Sequence, residues 1–217
     1  HQRPAVKPPY RLVMPDPAAI ANTASPAANG ALAPLRYALF RWLWIAALAS
    51  NIGTWVHEVG AGWMMTSLDP SPIMVSLVQA ASMLPVFMLA LPAGALADIV
   101  DRRVYLIGAQ AWVLSMAALL ALLTWAGVLG PWGLLVLTFC IGMGNALNFP
   151  AWAATTPELV PREDLVQAIA LNGIGFNLSR AVGPAIGGFA IAMAGTEAAF
   201  ALNAVCFFTL LLALVFW

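Results

Sequence analysis

Gly94-Ala95-Leu96-Ala97-Asp98-Ile99-Val100-Asp101-Arg102-Arg103 is the stretch from which the rest of the chain can be read. Charges of both signs cluster here sharply between two long apolar runs. Residues 70–97 before it and 104–157 after it contain no Asp, Glu, Lys or Arg. A short charged turn joining two uncharged helical runs is the pattern of a loop at a membrane face.

Composition agrees. Only 8% of the 217 residues are charged and 62% are hydrophobic, against about 25% charged in a soluble domain. Such a chain lacks the polar surface to coat a globule in water, so the expected class is an all-α integral membrane protein. Charge balances to zero, which gives no reason to expect a nucleic-acid partner. Cys140 and Cys206 both sit inside apolar runs and read as buried small side chains.

Outward from the charged turn, the chain divides into runs of about 20 or more apolar residues, the length that crosses a bilayer. The expected spans are 38–66, 72–97, 104–126, 132–155, 164–194 and 198–217. Gly127-Val128-Leu129-Gly130-Pro131 interrupts the long uncharged stretch, and Gly195-Thr196-Glu197 separates the last two spans. Glu163 and Asp164 open the fifth, where carboxylates suit a helix N-terminus. Residues 1–34 hold seven prolines and no hydrophobic period, so this tail is expected to be disordered. It has no apolar core of a signal peptide.

Eight of the nine basic residues fall on one side of these spans. They are Arg3, Lys7, Arg11, Arg36 and Arg41 before the first, Arg102 and Arg103 after the second, and Arg162 after the fourth. The positive-inside rule then places the N-terminus in the cytoplasm. Trp42, Trp44, Trp63, Trp125, Trp132 and Trp152 are expected near the two interfaces. The chain stops at Phe216-Trp217 with no polar tail, which reads as one half of something larger.

The turn, as G-x-L-A-D-x-x-x-R-R, resembles the signature of the major facilitator superfamily, which joins that family's second and third helices on the cytoplasmic side. Asp101 stands where Gly is usual there, and the run Ala-Asp-x-x-Asp-Arg-Arg resembles the branch of enterobactin exporters and related secretion transporters. Pro157 to Arg162 and Ala170 to Gly188 resemble the fifth helix of that branch. Gly183-Pro184-x-x-Gly187-Gly188 is similar to the antiporter motif of exporting facilitators, though Ser179 replaces a frequent Gly. The resemblance implies six transmembrane helices, in two inverted three-helix repeats, forming the N-terminal half of a twelve-helix transporter. It implies a secondary active exporter of a small molecule, siderophore-like or drug-like, in a bacterial inner membrane. Its partners would be the lipid bilayer, the substrate and a C-terminal six-helix half. Gly94, Asp98, Asp101, Arg102 and Arg103 would form a conformational latch, with Asp98 and Arg102 making the charge contacts. A non-transporting membrane scaffold, or an orphan half-transporter acting in assembly, is the alternative reading.

Several polar residues interrupt the spans. Arg180 lies about fifteen residues into the fifth, which at 1.5 Å per residue is roughly 22 Å from its start. A charge at that depth is unfavourable by about 2.5–3.5 kcal/mol on insertion scales. Glu58, beside His57, lies in the first span. An Arg–Glu contact and a polar site lining a transport path both remain open for this pair. Asn51, Trp55 and Glu58 share helical spacing; Gln79 lies in the second span, Asn145 and Asn148 in the fourth, and Asn172 and Asn177 in the fifth. As a set they suggest a watered cleft. The fourth span lacks the arginine that many proton-coupled facilitators carry, which leaves Glu58 as the substitute proton site. Gly183 and Gly187 form a small-xxx-small face for close helix approach, and Pro184 permits a bend. No phosphate-cradling loop and no zinc-ligand spacing occur, so no enzyme, metal or cofactor is expected.

Overall fold

A computed structural model of the chain describes residues 30–217, the side chain of Asp98 excepted. Most of the expected disordered tail, residues 1–29, lies outside the described residues, together with Arg3, Lys7 and Arg11. At its end, Ala33–Arg36 form a 3-10 turn in which Pro34 is buried. Five helices follow: α1 Ala38–Leu68, α2 Pro72–Ile99, α3 Arg102–Trp125, α4 Pro131–Leu159 and α5 Leu165–Val215. A second 3-10 turn, Arg162–Asp164, precedes α5, and no strand occurs among the described residues.

Local chemistry sets the ends. Pro72 and Pro131 open α2 and α4, where a missing N–H is harmless. The Asp101 carboxylate accepts from the Val104 N–H at 3.0 Å and caps α3. Pro85, Pro92, Pro150 and Pro157 lie inside α2 and α4 without ending them, as neighbouring helices allow in a membrane bundle.

The expected division between the last two spans falls inside α5, where Ala194 and Gly195 leave helical geometry; Gly195 takes φ 79°, a left-handed value that suits glycine. Pro184 stays within regular helix. The run from Arg162 to Val215 is 54 residues long, about 80 Å if straight against a hydrocarbon core of roughly 30 Å. The break resolves the mismatch. In the first arm, 165–193, Gly175 lies against Trp44, Gly183 against Trp55 and Gly187 against Val59, so this arm runs alongside α1 in the same direction. In the second, 196–215, Phe200 meets Gly60 and Cys206 meets Gly53, so the chain returns along α1 in the opposite direction.

Four helical runs are long and apolar enough to cross a membrane: Pro72–Ala97, Arg102–Trp125, Pro131–Leu159 and Arg162–Val215. α1, at 31 residues, is long enough, but Asn51, His57 and Glu58 dilute its centre. Large apolar side chains face outward, among them Phe87, Leu91, Phe189 and Met193, a surface suited to lipid rather than water. Trp42, Trp63, Trp125 and Trp132 are exposed near helix ends, as interfacial anchors should be. Trp44 instead donates to the Leu171 carbonyl at 3.1 Å, and Trp152 turns inward.

Two large apolar clusters fill the two ends of the bundle, with a smaller third beside the Arg162–Asp164 turn at Phe40, Val160, Ala168 and Leu171. The first includes Met65, Val113, Leu120, Leu134 and Phe200; the second includes Leu43, Leu106, Ala151, Leu210 and Leu214. Between them, at mid-height on α1, α3 and α4, the sequence turns polar.

Candidate functional site

That polar belt surrounds a cavity of about 290 Å³. On α1, Ser50, Asn51, Thr54, His57 and Glu58 follow helical spacing and present one face to it. α4 contributes Thr138, Asn145, Asn148 and Trp152, α3 contributes Gln110, and α2 contributes Ser82. Close approach of α2 and α4 depends on Gly142, where a Cβ would lie 2.8 Å from the Ser82 carbonyl oxygen. The rim is apolar and exposed, at Met83, Val86, Phe149 and Phe176.

The floor is polar and buried. Gln110, 1% exposed, donates to the Phe207 carbonyl at 3.1 Å and accepts from the Asn148 amide at 3.2 Å. His57, 2% exposed, packs its ring 5.8 Å from that of Phe200. Neither His57 nitrogen nor the Thr138 hydroxyl has a hydrogen-bond partner among the described residues. A buried polar group left so is unfavourable by about 1–3 kcal/mol, so this floor is chemically disposed toward a polar occupant.

Of the residues singled out from the sequence, Asn51, Glu58, Asn145 and Asn148 meet in this cavity. The others lie elsewhere. Trp55 is turned toward the first arm of α5, where Arg180 stacks 5.6 Å above its ring and Phe176 meets it edge-on at 6.3 Å. Arg180 is itself exposed and makes no ion pair with Glu58, which removes the Arg–Glu contact. Gln79 is exposed on α2. Asn172 donates to the Thr156 hydroxyl at 3.0 Å, and Asn177 to the carbonyl of Gly173 at 2.8 Å on its own helix. Helical spacing groups residues within about 100° of one another, but it does not say which neighbour each edge of that arc meets. Ser50, Thr54, His57, Ser82, Gln110 and Thr138 complete the lining. Only His57 carried any signal in the sequence, as the partner in position of Glu58.

The charged turn acts within this bundle. Arg102 donates to the Ala154 carbonyl at 2.8 Å and pairs with the Glu158 carboxylate, both on α4. Arg103 donates to the carbonyls of Val215 at 2.6 Å and Leu214 at 3.3 Å, a favourable place for a cation at a helix C-terminus. The Asp98 side chain lies outside the described residues, and a Cβ on Gly94 would meet nothing within 4 Å. In the helix-five motif, a Cβ on Gly183 would lie 2.5 Å from Trp55 Cβ and one on Gly187 3.1 Å from Val56 Cα. Those two glycines are the seam with α1. Gly188 faces open space.

One cluster had no local signal at all. Asp164 does not cap α5 with its side chain; its fully buried carboxylate accepts from Arg36 at 2.7 Å and from the Tyr37 hydroxyl at 2.8 Å. The partners are 127 and 128 residues away in sequence. Arg36→Ala leaves that buried carboxylate short of a cation. Because Arg36 is about half exposed, the expected result is a modest fall in the thermal midpoint, smaller than for a fully buried pair. A thermal-unfolding series in detergent checks it, with Arg41→Ala as the comparison that leaves the midpoint unchanged.

No group of three or more His, Cys, Asp or Glu able to hold a metal occurs among the described residues. A family model described as transmembrane secretion effector matches residues 29–217. The chain is similar to the staphyloferrin A transporter of Staphylococcus aureus, 25% identical over 158 residues, 72% of this chain and 40% of that protein. It is 30% identical over 160 residues to the uncharacterized MFS-type transporter YfiS of Bacillus subtilis, 73% of this chain and 37% of the relative. It is 25% identical over 147 residues to macrolide efflux protein A of Streptococcus pyogenes, 68% of this chain and 36% of the relative. The chain thus spans about two fifths of the length of these curated relatives. No solved structure matches it significantly.

Proposed function

The chain belongs to the transmembrane secretion effector family of major facilitator transporters, and from that premise we propose that it is the N-terminal six-span half of a secondary active exporter. The two arms of α5 serve as the fifth and sixth spans, and a second half closes against this bundle. The substrate is a small molecule of the kind that the relatives' names suggest, siderophore-like or drug-like. Substrate moves outward as the halves rock between inward- and outward-open states.

One observation carries this reading. Glu58, an ionisable side chain, lines a largely apolar cavity alongside the amides of Asn51, Asn145, Asn148 and Gln110, inside an otherwise apolar bundle. A carboxylate in that setting is unfavourable unless function retains it. A scaffold would gain nothing from it. Glu58 is the proton-carrying group in this reading, and the latch of the Asp98–Arg103 turn couples it to the movement of the halves.

Everted inner-membrane vesicles from cells producing the full-length protein test the proposal with a panel of siderophores and hydrophobic drugs. Uptake of at least one compound, collapsed by dissipating the pH gradient, is the expected result. Glu58→Gln, which keeps size and removes the proton site, should abolish that gradient dependence. Uptake no greater than in vector-only vesicles for the whole panel defeats the transporter reading. Unchanged gradient dependence in Glu58→Gln retires Glu58 as the coupling site.

Orientation has its own check. In a background with Cys140 and Cys206 changed to Ser, Asp69→Cys should react with an impermeant maleimide added outside intact spheroplasts. Asp101→Cys should react only after the membrane is opened. Labelling of the second from outside reverses the assignment of a cytoplasmic N-terminus.

A further inference from the structure

We propose that the mid-height cavity is a binding site for an organic monocation, with Glu58 as its counter-charge. The proposal rests on the transporter reading above and specifies the charge of what that site takes. Four observations converge on it. Among the described residues, Glu58 is the only charged side chain in the lining, and no Lys or Arg contributes. Arg180, the basic residue that lies deep within a span, stands outside the lining, stacked on Trp55.

The remaining polar groups add no positive potential. Asn51 and Glu58 lie well inside α1, Asn145 and Asn148 inside α4, and Gln110 inside α3. None of these polar groups stands at a helix N-terminus, the usual backbone attraction for an anion. An anion entering here would meet a carboxylate with nothing to offset it.

Third, aromatic side chains complete the wall. Phe149, Trp152 and Phe176 line the cavity alongside the amides. Ring faces carry negative potential and attract an ammonium or a delocalised cation, more so when water is excluded. Fourth, the floor supplies acceptors. His57 and Thr138 line the cavity, are 2% and 1% exposed, and have no hydrogen-bond partners among the described residues. An imidazole nitrogen and a hydroxyl oxygen can each take the N–H or O–H of an incoming ligand. A volume of about 290 Å³ is at the lower end of small-molecule sites.

Tetraphenylphosphonium and tetraphenylborate share size and shape and differ in the sign of their charge, so they isolate this inference. Saturable binding of each to the purified full-length transporter is measured at equilibrium in detergent, with wild type, Glu58→Gln and Arg180→Gln. The phosphonium is expected to bind at least about tenfold more tightly than the borate, and Glu58→Gln to weaken it by a similar factor. Arg180→Gln should leave phosphonium affinity unreduced. Preference for the borate, or its loss in Arg180→Gln, would show an anion site and overturn the proposal. Phosphonium affinity indifferent to Glu58→Gln overturns it too, as does saturable binding of neither ion. The wild-type comparison of the two ions needs no variant, so a poorly folding Glu58→Gln protein does not rescue the idea. Because binding is read without a gradient, each of these failures leaves vesicle transport, and with it the exporter reading, standing or falling separately.

Discussion

Gly183→Ala lowers the thermal midpoint of the detergent-solubilised protein sharply, while Gly188→Ala does not. The new methyl at 183 would lie 2.5 Å from Trp55 Cβ and 3.3 Å from the Ile52 carbonyl oxygen. Both atoms belong to the backbone of α1 or hang directly from it, so no side-chain rotation relieves the contact. The helices must separate, and overpacking of this kind is unfavourable by about 1–3 kcal/mol. The upper end applies here, because separation at Gly183 also opens the seam at Gly187, where a Cβ already sits 3.1 Å from Val56 Cα. Gly183→Leu is expected to yield no monodisperse protein. At 188 a Cβ meets nothing within 4 Å of this bundle, and Ala gains up to about 1 kcal/mol of helix propensity over Gly. Fluorescence-detected size exclusion after heating separates the two outcomes. Equal midpoints for Gly183→Ala and wild type would mean that α1 and the first arm of α5 do not pack as described.

Arg180→Ala should produce the reverse pattern, a stable protein that does not transport. The side chain is exposed, and its contact is with the Trp55 ring. An exposed cation–π contact is worth only about 0.5–1 kcal/mol, so the thermal midpoint should move little. Transport is expected to fall at least about tenfold, because a mid-membrane cation is unfavourable by about 2.5–3.5 kcal/mol and is retained for what it does. Arg180→Lys should restore little of it, since an ammonium cannot stack its plane on Trp55 or present a paired fork. Vesicle uptake and the thermal midpoint, measured on the same preparations, decide the matter. Normal uptake by a stable Arg180→Ala protein would leave the residue without a role. A collapsed midpoint would make it a structural brace.

The two variants also mark what could be read in advance. Gly183 and Gly187 were recognisable as a helix-packing face from spacing alone, because small residues four apart always share one side of a helix. Which helix meets that face is a long-range fact, and only the packed bundle assigns it to α1. Glu58, Asn51, Asn145 and Asn148 were legible as costly interruptions of apolar spans, and they do converge. Trp55, Asn172, Asn177 and Arg180 shared the same signal, yet they point to other neighbours.

By itself the sequence determined that this is a helical membrane protein, since a chain with 8% charged residues can satisfy its backbone in lipid only within helices or a closed barrel. Its apolar run lengths and its pattern of charge favour helices. It also placed the starts of α1 to α4 within two residues, at 38, 72, 104 and 132, from the lengths of the apolar runs and the breaks between them; the caps at Pro72, Asp101 and Pro131 emerged from the structure. Tertiary structure decided the rest. The bond of Asp164 to Arg36 and Tyr37, the placing of Gln110 between Asn148 and Phe207, and the union of His57 with Thr138 in one cavity floor each join distant parts of the chain. No local period encodes such pairings. The cavity pairings exist because the two large apolar clusters at the ends of the bundle fix the helices in register, and the Asp164 cluster because Phe40, Val160, Ala168 and Leu171 pack beside it.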